Sequence, residues 1–365
     1  MNSGWAVRPV RSEDGDALFR LALAMGAGMT TFPADREALE EKIAASIDSF
    51  AGRRQRLDAH YLLVLEDLRS DQLLGTAAVY ASVGHPFGFF SYKRIRLIQR
   101  SRTIGHGCDV ELLTLANDYT GTTEVGTLAV RPELKGSGAG PLLARSRYLL
   151  IAAAPDLFAP LVMAEMRGWQ DCHGSSPFWD AVGAHFFSMD FPTADRLSAL
   201  RGSDFISELL PKHPIYIGLL PKEVRDVIGR PHDSSAPAMA MLRREGFRHE
   251  GYVDVFDAGP QVHVERDTIA TIRNSRRAYL APKLAVATSA GDYLVSSDSL
   301  GDFWVVPRRA VLAGGELMID GTIPSAPGEA VRACPVLYEA EACAPRGADE
   351  TLIISRASDS VPASR

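Results

Sequence analysis

The sequence predicts an α+β fold, in which a mixed, mostly antiparallel sheet flanked by helices is followed by a small C-terminal β-barrel-like module. Three observations predict it. Up to about residue 280, strand-like apolar runs alternate with long helical runs. Midway, a glycine-rich turn joins a strand to a helix, and a further strand follows. Beyond residue 280 only short apolar runs remain, separated by Gly, Asp, Ser and Pro.

Trp5 to Val10 reads as a strand, after which Ser12 to Asp14 offer a cap and first-turn acids for a helix carrying Ala17, Leu18, Leu21 and Ala22. A second helix is expected from Arg36 to Phe50, where Leu39, Ile43 and Ile47 recur at helical spacing. The runs 61–67 and 73–83, split by a short polar segment, predict a hairpin. Residues 86–123 lack clean periodicity and predict strands and loops without setting their boundaries. EVGTLAV (124–130) reads as a buried strand, the run from Pro141 to Ala153 as a helix, and 161–168 as a strand. A right-handed crossover sets those two strands parallel or splayed, with the helix over one face.

Helices about Pro177–Ala184 and Ala236–Glu245 follow, with a strand about Glu250–Phe256. The runs KLAVAT, DYLVSS, FWVVPRRAVL, ELMID and AVRACPVLYE are the expected strands of the terminal module. The expected division is a first domain with insertions at 1–278, a small all-β domain at 279–354 and a disordered tail at 355–365.

Composition excludes several functions. The 365 residues, 46% hydrophobic, suffice for two or three packed domains. A net charge of -6, from 39 basic and 45 acidic residues, provides no overall field to gather nucleic acid or a membrane surface. Cys108, Cys172, Cys334 and Cys343 are dispersed, and Cys172-His173 alone makes no metal-ligand array, so no metal is expected and the thiols read as reduced. No basic start precedes an apolar run, and no stretch reaches the roughly 18 to 20 apolar residues of a membrane span, so a cytoplasmic location is expected.

The chemistry concentrates in LAVRPELKGSGAGPLLARSRYLL (128–150). A strand ends, Lys135, Gly136, Ser137, Gly138 and Gly140 follow around the turn, and a helix begins. Glycines there let backbone N–H groups approach a phosphate, and the helix N-terminus adds partial positive charge. The pattern lacks the Lys-Ser/Thr of a Walker A loop and the third spaced glycine of a dinucleotide fingerprint. An acyl-CoA pyrophosphate fits it, and an ordinary structural turn is the alternative.

Several ordered blocks resemble the arginine N-succinyltransferase family: RPVRSEDGDAL, TTFPAD (30–35), AEMRG (164–168), SPFW (176–179), FFSMDF (186–191), PKHPIY (211–216), VIG with His232, APA (236–238), EGFRHEGYVDVFDAGP (245–260) and IRNSR (272–276). The resemblance implies a GNAT-like acyl-CoA N-acyltransferase core, succinyl-CoA as co-substrate with no permanently bound cofactor, and the α-amine of L-arginine as acceptor in arginine catabolism. It also implies a homo- or hetero-oligomer. The family's proton-donor histidine falls on His232 and its succinyl-CoA contact on Leu128. An imidazole suits proton transfer near neutral pH, and Leu128 would act through backbone N–H groups that polarise the thioester carbonyl. His213 and His185 are secondary candidates for proton transfer and Arg167 for binding the succinyl carboxylate, with a structural role as the alternative for each. The family pattern carries His, Cys and Asp where this chain has Tyr119, Gly126 and Arg131. These departures leave open another acyl-CoA, another amine such as ornithine, or a subunit that binds acyl-CoA without catalysis.

Overall fold

The computed structural model describes residues 4–25, 29, 31–201, 208–282 and 290–337. Strand β1 (Trp5–Pro9) turns at Ser12–Asp14 into α1 (Gly15–Met25), and α2 (Arg36–Phe50) follows. The Asp14 carboxylate accepts from the Arg11 N–H at 2.7 Å and from the Arg8 guanidinium at 2.7 and 3.0 Å. The acid expected in the first turn thus also ties helix to strand. Helix α2 is capped by Asp35, whose Oδ1 accepts from the Ala38 N–H at 2.9 Å, and buries Leu39 and Ile43. The predicted hairpin is β2 (His60–Asp67) and β3 (Gln72–Tyr80).

Where periodicity sets no boundaries, the chain forms a long hairpin of β4 (Ser91–Ser101) and β5 (His106–Ala116). Its outer half is largely exposed and laced across the strands by Arg94–Glu111, at 2.5 Å, and Arg96–Asp109. With neither face buried there, no apolar alternation marks it. Then come β6 (Thr123–Val130), α3 (Ala139–Ala153) and β7 (Leu161–Glu165). The single helix expected at 177–184 is instead α4 (Pro177–Ala181) and α5 (Gly183–Phe187), because Val182 leaves helical geometry at φ -125, ψ -70.

After α6 (Phe191–Arg201) come β8 (Ile215–Tyr216), α7 (Lys222–Arg225) and α8 (Ala236–Glu245). The strand expected about 250–256 shortens to β9 (Tyr252–Val253). Asp254 Oδ1 accepts from the N–H groups of Phe256 and Asp257 at 2.7 and 3.0 Å, and this local turn displaces the ladder. Strand β10 (Gln261–Glu265), α9 (Ala270–Asn274), β11 (Arg276–Leu280), β12 (Gly291–Ser297), β13 (Val305–Ala313), β14 (Glu316–Ile319) and β15 (Ala330–Pro335) complete the described chain. KLAVAT, the end of AVRACPVLYE, Cys343 and the 355–365 tail lie outside the described residues.

The main sheet runs β10-β7-β6-β3-β2-β1-β13-β12-β15-β11-β14, and pairing of β13 with β14 closes its last five strands into a barrel. Among the described residues, only β6–β7 and β11–β14 are parallel. A second sheet, β8-β5-β4-β9, stands beside it. Helix α3 crosses the main sheet and packs Leu142, Leu143, Leu149, Leu150 and Ile151 against Leu63, Leu65, Val79 and Val125. It is buried almost all round, which accounts for its apolar run without a polar stripe.

The barrel meets the rest of the sheet at Val7↔Val305. It is also held by Arg145 of α3, whose guanidinium donates to the carbonyls of Pro335 and Val336 at 2.7 and 2.9 Å. Among the described residues, no helix is long and apolar enough to cross a membrane.

Candidate active site

Strands β6 and β7 pair only at Thr123↔Val162 and Glu124↔Met163. From Val125 onward they part, while β7 stays paired with β10 as far as Glu165. On its other side β6 bulges against β3. Thr76 faces Ala129 and Ala78 faces Gly126, so Thr127 and Leu128 together stand opposite Ala77. Thr127 holds the left-handed φ of 52°, with its hydroxyl 3.0 Å from that of Tyr80. Such a conformation is costly for a β-branched residue and marks a backbone re-aimed for a purpose.

The parted strands open a cleft of about 1750 Å³. Its walls are β6 from Glu124 to Val130, the end of β7, the glycine-rich turn, and faces of α3 and α8. Leu128 lies on the opened stretch of β6, packs partly on the main core and borders the cleft. Lys135, Gly136, Gly138 and Gly140 also border it. Ser137 does not; its hydroxyl donates to the Leu134 carbonyl at 2.6 Å, making it a residue that shapes the turn.

Gly138 is the N-cap of α3 at φ 94°, which only glycine adopts cheaply; it brings no cap side chain, and the neighbouring Ser137 hydroxyl accepts only a long 3.4 Å bond from the Ala139 N–H. At Gly140 an added Cβ would find only Met241 Cε, at 3.9 Å, so glycine there leaves room for something other than protein.

Arg131 and Lys135 lie at the turn, whereas the end where the strands separate gathers the carboxyl groups of Glu124, Glu165, Asp195, Asp254 and Asp257, with Lys42, Arg147 and Arg167 among them. From Glu124 to Arg131 is about 20 Å of extended strand. Burial pushes Glu124 up to about 7, against the opposing fields of Lys42 and Arg147. Glu165 ends β7 with its side chain open to the cleft, and the crowding of protein around it, then the carboxylates of Asp254 and Glu124, hold it above the usual range, although Gln261 Nε2 donates to it at 2.6 Å. Asp257 is raised to about 8 by burial and by Asp254, while its oxygens accept from the N–H groups of Gly168 and Gly259 at 2.7 and 2.8 Å.

His232 stands beside the end of β7, and its N–H donates to the Arg167 carbonyl at 2.7 Å. It is not among the residues bordering the cleft, although its neighbours Arg167, Ser234 and Ser235 are. Nδ1 lies 2.7 Å from the Ser234 hydroxyl and accepts from the Ser234 N–H at 3.2 Å, which leaves the proton of the neutral ring on Nε2. Burial and the Arg167 charge lower its pKa, opposed by Asp233. His213 and His185 are exposed and border nothing in the cleft. Arg167 does border it, and both Nε and Nη2 donate to Gln170 Oε1.

The three departures fall in different places. Tyr119 is buried behind the strands, its hydroxyl 2.6 Å from His263 Nδ1 and its ring against Tyr252, away from the cleft lining. Arg131 borders the cleft at the turn and donates to Gln72. Gly126 sits in the parted segment, where its missing side chain leaves room for Glu124: an added Cβ would lie 3.2 Å from Glu124 Oε1. Sequence reasoning missed Glu124, Glu165 and Arg147. Each is a charged residue in or at the end of a mainly apolar element, and that contrast is the signal that could have found them.

A mixed sheet splayed at one parallel pair, with a glycine-rich turn leading from the splayed strand into a helix across the sheet, defines a GNAT-like acyltransferase. The family described as arginine N-succinyltransferase beta subunit matches residues 5–271, and the chain belongs to it. It is 38% identical over 337 residues to arginine N-succinyltransferase subunit beta of Pseudomonas aeruginosa, covering 90% of this chain and 98% of that protein. Arginine N-succinyltransferase of Photorhabdus laumondii is 35% identical over 330 residues, 89% of this chain and 96% of that protein. The solved structure of arginine/ornithine succinyltransferase subunit AI from Pseudomonas aeruginosa has a TM-score of 0.82 and 31% identity, and the match covers 92% of this chain and 100% of that one.

Proposed function

We propose that the protein transfers the succinyl group of succinyl-CoA to the α-amine of L-arginine in the cytoplasm, releasing N-succinylarginine and CoA. The observation that carries this reading is one cleft with a glycine-rich helix N-terminus at one end and a cluster of carboxyl groups between the parted strands at the other. The CoA pyrophosphate lies against Gly136, Gly138 and Gly140 with Lys135 alongside, and the pantetheine arm follows the open edge of β6. Leu128 contributes backbone polarity to the thioester carbonyl as negative charge develops on it. The acceptor is cationic, and the acidic end of the cleft suits it. The α-amine loses a proton as it attacks; that proton passes through the Ser234 hydroxyl to Nδ1 of His232 while Nε2 gives its own proton to the departing thiolate, so the ring stays neutral throughout. Relatives named as subunits support an oligomer, either of identical or of different chains.

The test is thiol release by the purified protein across succinyl-, glutaryl- and acetyl-CoA paired with arginine, ornithine and citrulline. Succinyl-CoA with arginine should turn over fastest, and mass spectrometry should place the succinyl group on the α-nitrogen. A preference for ornithine would replace the acceptor, and no release above the uncatalysed rate with any pair would leave a non-catalytic subunit.

The phosphate end has its own prediction. Gly140→Val adds bulk where the fold has room, so the melting temperature should hold while CoA affinity falls by about tenfold or more, the scale of one lost hydrogen bond to a charged group. Unchanged affinity by calorimetry would remove the pyrophosphate from this turn. Gly138→Val is a poorer probe, because φ 94° strains any side chain whatever binds there.

A further inference from the structure

We propose that Arg147 receives the free carboxylate of the succinyl group and so selects a dicarboxylic acyl donor; this rests on the acyl-transfer reading above. Arg147 projects from α3 beneath the parted segment of β6, is 3% exposed and borders the cleft. A buried guanidinium is normally paired or fully hydrogen-bonded. Here Nη1 donates to the Gly126 carbonyl and Nε to the Ala144 carbonyl of its own helix, both at a long 3.3 Å. Among the described residues no carboxylate lies within ion-pair distance of it; its guanidinium stands 5.6 Å from the centre of the Tyr148 ring and otherwise meets the longer-range fields of Glu245 and Glu124. The charge therefore lacks a close anionic partner in a site built for an anionic acyl chain.

Three of the other four guanidinium groups of the cleft are committed elsewhere, and the fourth, Arg244, is exposed in the last turn of α8. Arg145 donates to Thr271, Cys334 and two barrel carbonyls. Arg167 is chelated by Gln170 and Arg131 is drawn outward to Gln72. Position agrees with chemistry. If the thioester carbonyl lies at Leu128, a succinyl chain continuing along the opened edge passes Gly126, the residue whose carbonyl Arg147 already holds. A planar guanidinium offers two parallel N–H groups to a carboxylate, which a single ammonium does not.

The experiment measures equilibrium binding of succinyl-CoA and acetyl-CoA, without amine, to the full-length wild type, Arg147→Met and Arg147→Lys. Met removes a charge that burial already disfavours, and Lys keeps a charge without the paired donors. The succinyl-over-acetyl preference should fall by roughly 10- to 150-fold in Arg147→Met, the range for hydrogen bonds to a charged group, and by an intermediate factor in Arg147→Lys. A preference unchanged in both variants, or equal losses for both acyl-CoAs, would overturn the assignment. Failure of the function is read separately from the wild type: a glutaryl preference there replaces the donor while Arg147 is still tested by the variants. A wild type that favours acetyl-CoA defeats the donor reading and the inference together.

Discussion

Arg145→Met is expected to lower folding stability by about 3–5 kcal/mol, the scale on which a buried ion is left without its countercharge. The guanidinium lies 3.9 Å from Glu245, and both side chains are almost fully buried. It also donates to Thr271 Oγ1 at 3.0 Å, Cys334 Sγ at 3.0 Å and the carbonyls of Pro335 and Val336. Burial pushes the Cys334 thiol up to about 11, so the sulfur stays a neutral acceptor. Methionine fills most of the space but strands two barrel carbonyls and the Glu245 carboxylate, which keeps the Thr271 N–H at 2.7 Å. Urea unfolding would measure the loss. Arg145→Met/Glu245→Gln should lose less than the sum of the single changes, by about 0.5–3 kcal/mol, because it removes the buried charge with its partner. A loss below about 1 kcal/mol in the single variant would mean that Arg145 does not hold the barrel to α3.

That contact shows what patterning can and cannot reveal. The helix at 36–50, the β2–β3 hairpin and the strand, turn and helix around residues 124–153 were legible because each has a one-sided or continuous apolar signature and its own end signals. The β4–β5 ribbon was not, because exposure on both faces removes the alternation. The strand about 250–256 was misjudged in length because Asp254 supplies its backbone with local partners. At the site, the turn glycines were legible as a motif, whereas Glu124, Glu165 and Arg147 come together only through the parting of β6 from β7. Periodicity describes a residue's neighbours along its own element. It carries no record of a gap between two strands, and the seam between barrel and α3 is equally invisible to it.

His232→Gln is expected to reduce turnover of succinyl-CoA and arginine by about 10² to 10⁴, the usual scale for losing a positioned proton donor or acceptor, with little change in CoA affinity. Glutamine keeps a polar group of similar reach but cannot titrate. The working form follows from geometry. Nδ1 accepts from the Ser234 N–H, so the ring is held neutral with Nε2–H free, and an imidazolium would have to abandon that bond. Burial and the Arg167 charge act in the same direction and lower the pKa below its ordinary 6.5. The maximal rate at saturating arginine should therefore be flat near neutrality and fall as pH drops through a value below 6.5, and the variant should lack that limb. A second limb separates the acidic end of the cleft from His232. Glu124 is pushed up to about 7, so protonation should weaken capture of the cationic acceptor. That limb should appear near pH 7 in kcat/KM for arginine, which reports the free enzyme, and should persist in His232→Gln. Near-normal turnover by the variant would end the assignment of His232, which stands at the rim of the cleft, and a bound water or a cleft carboxylate would then have to carry the proton.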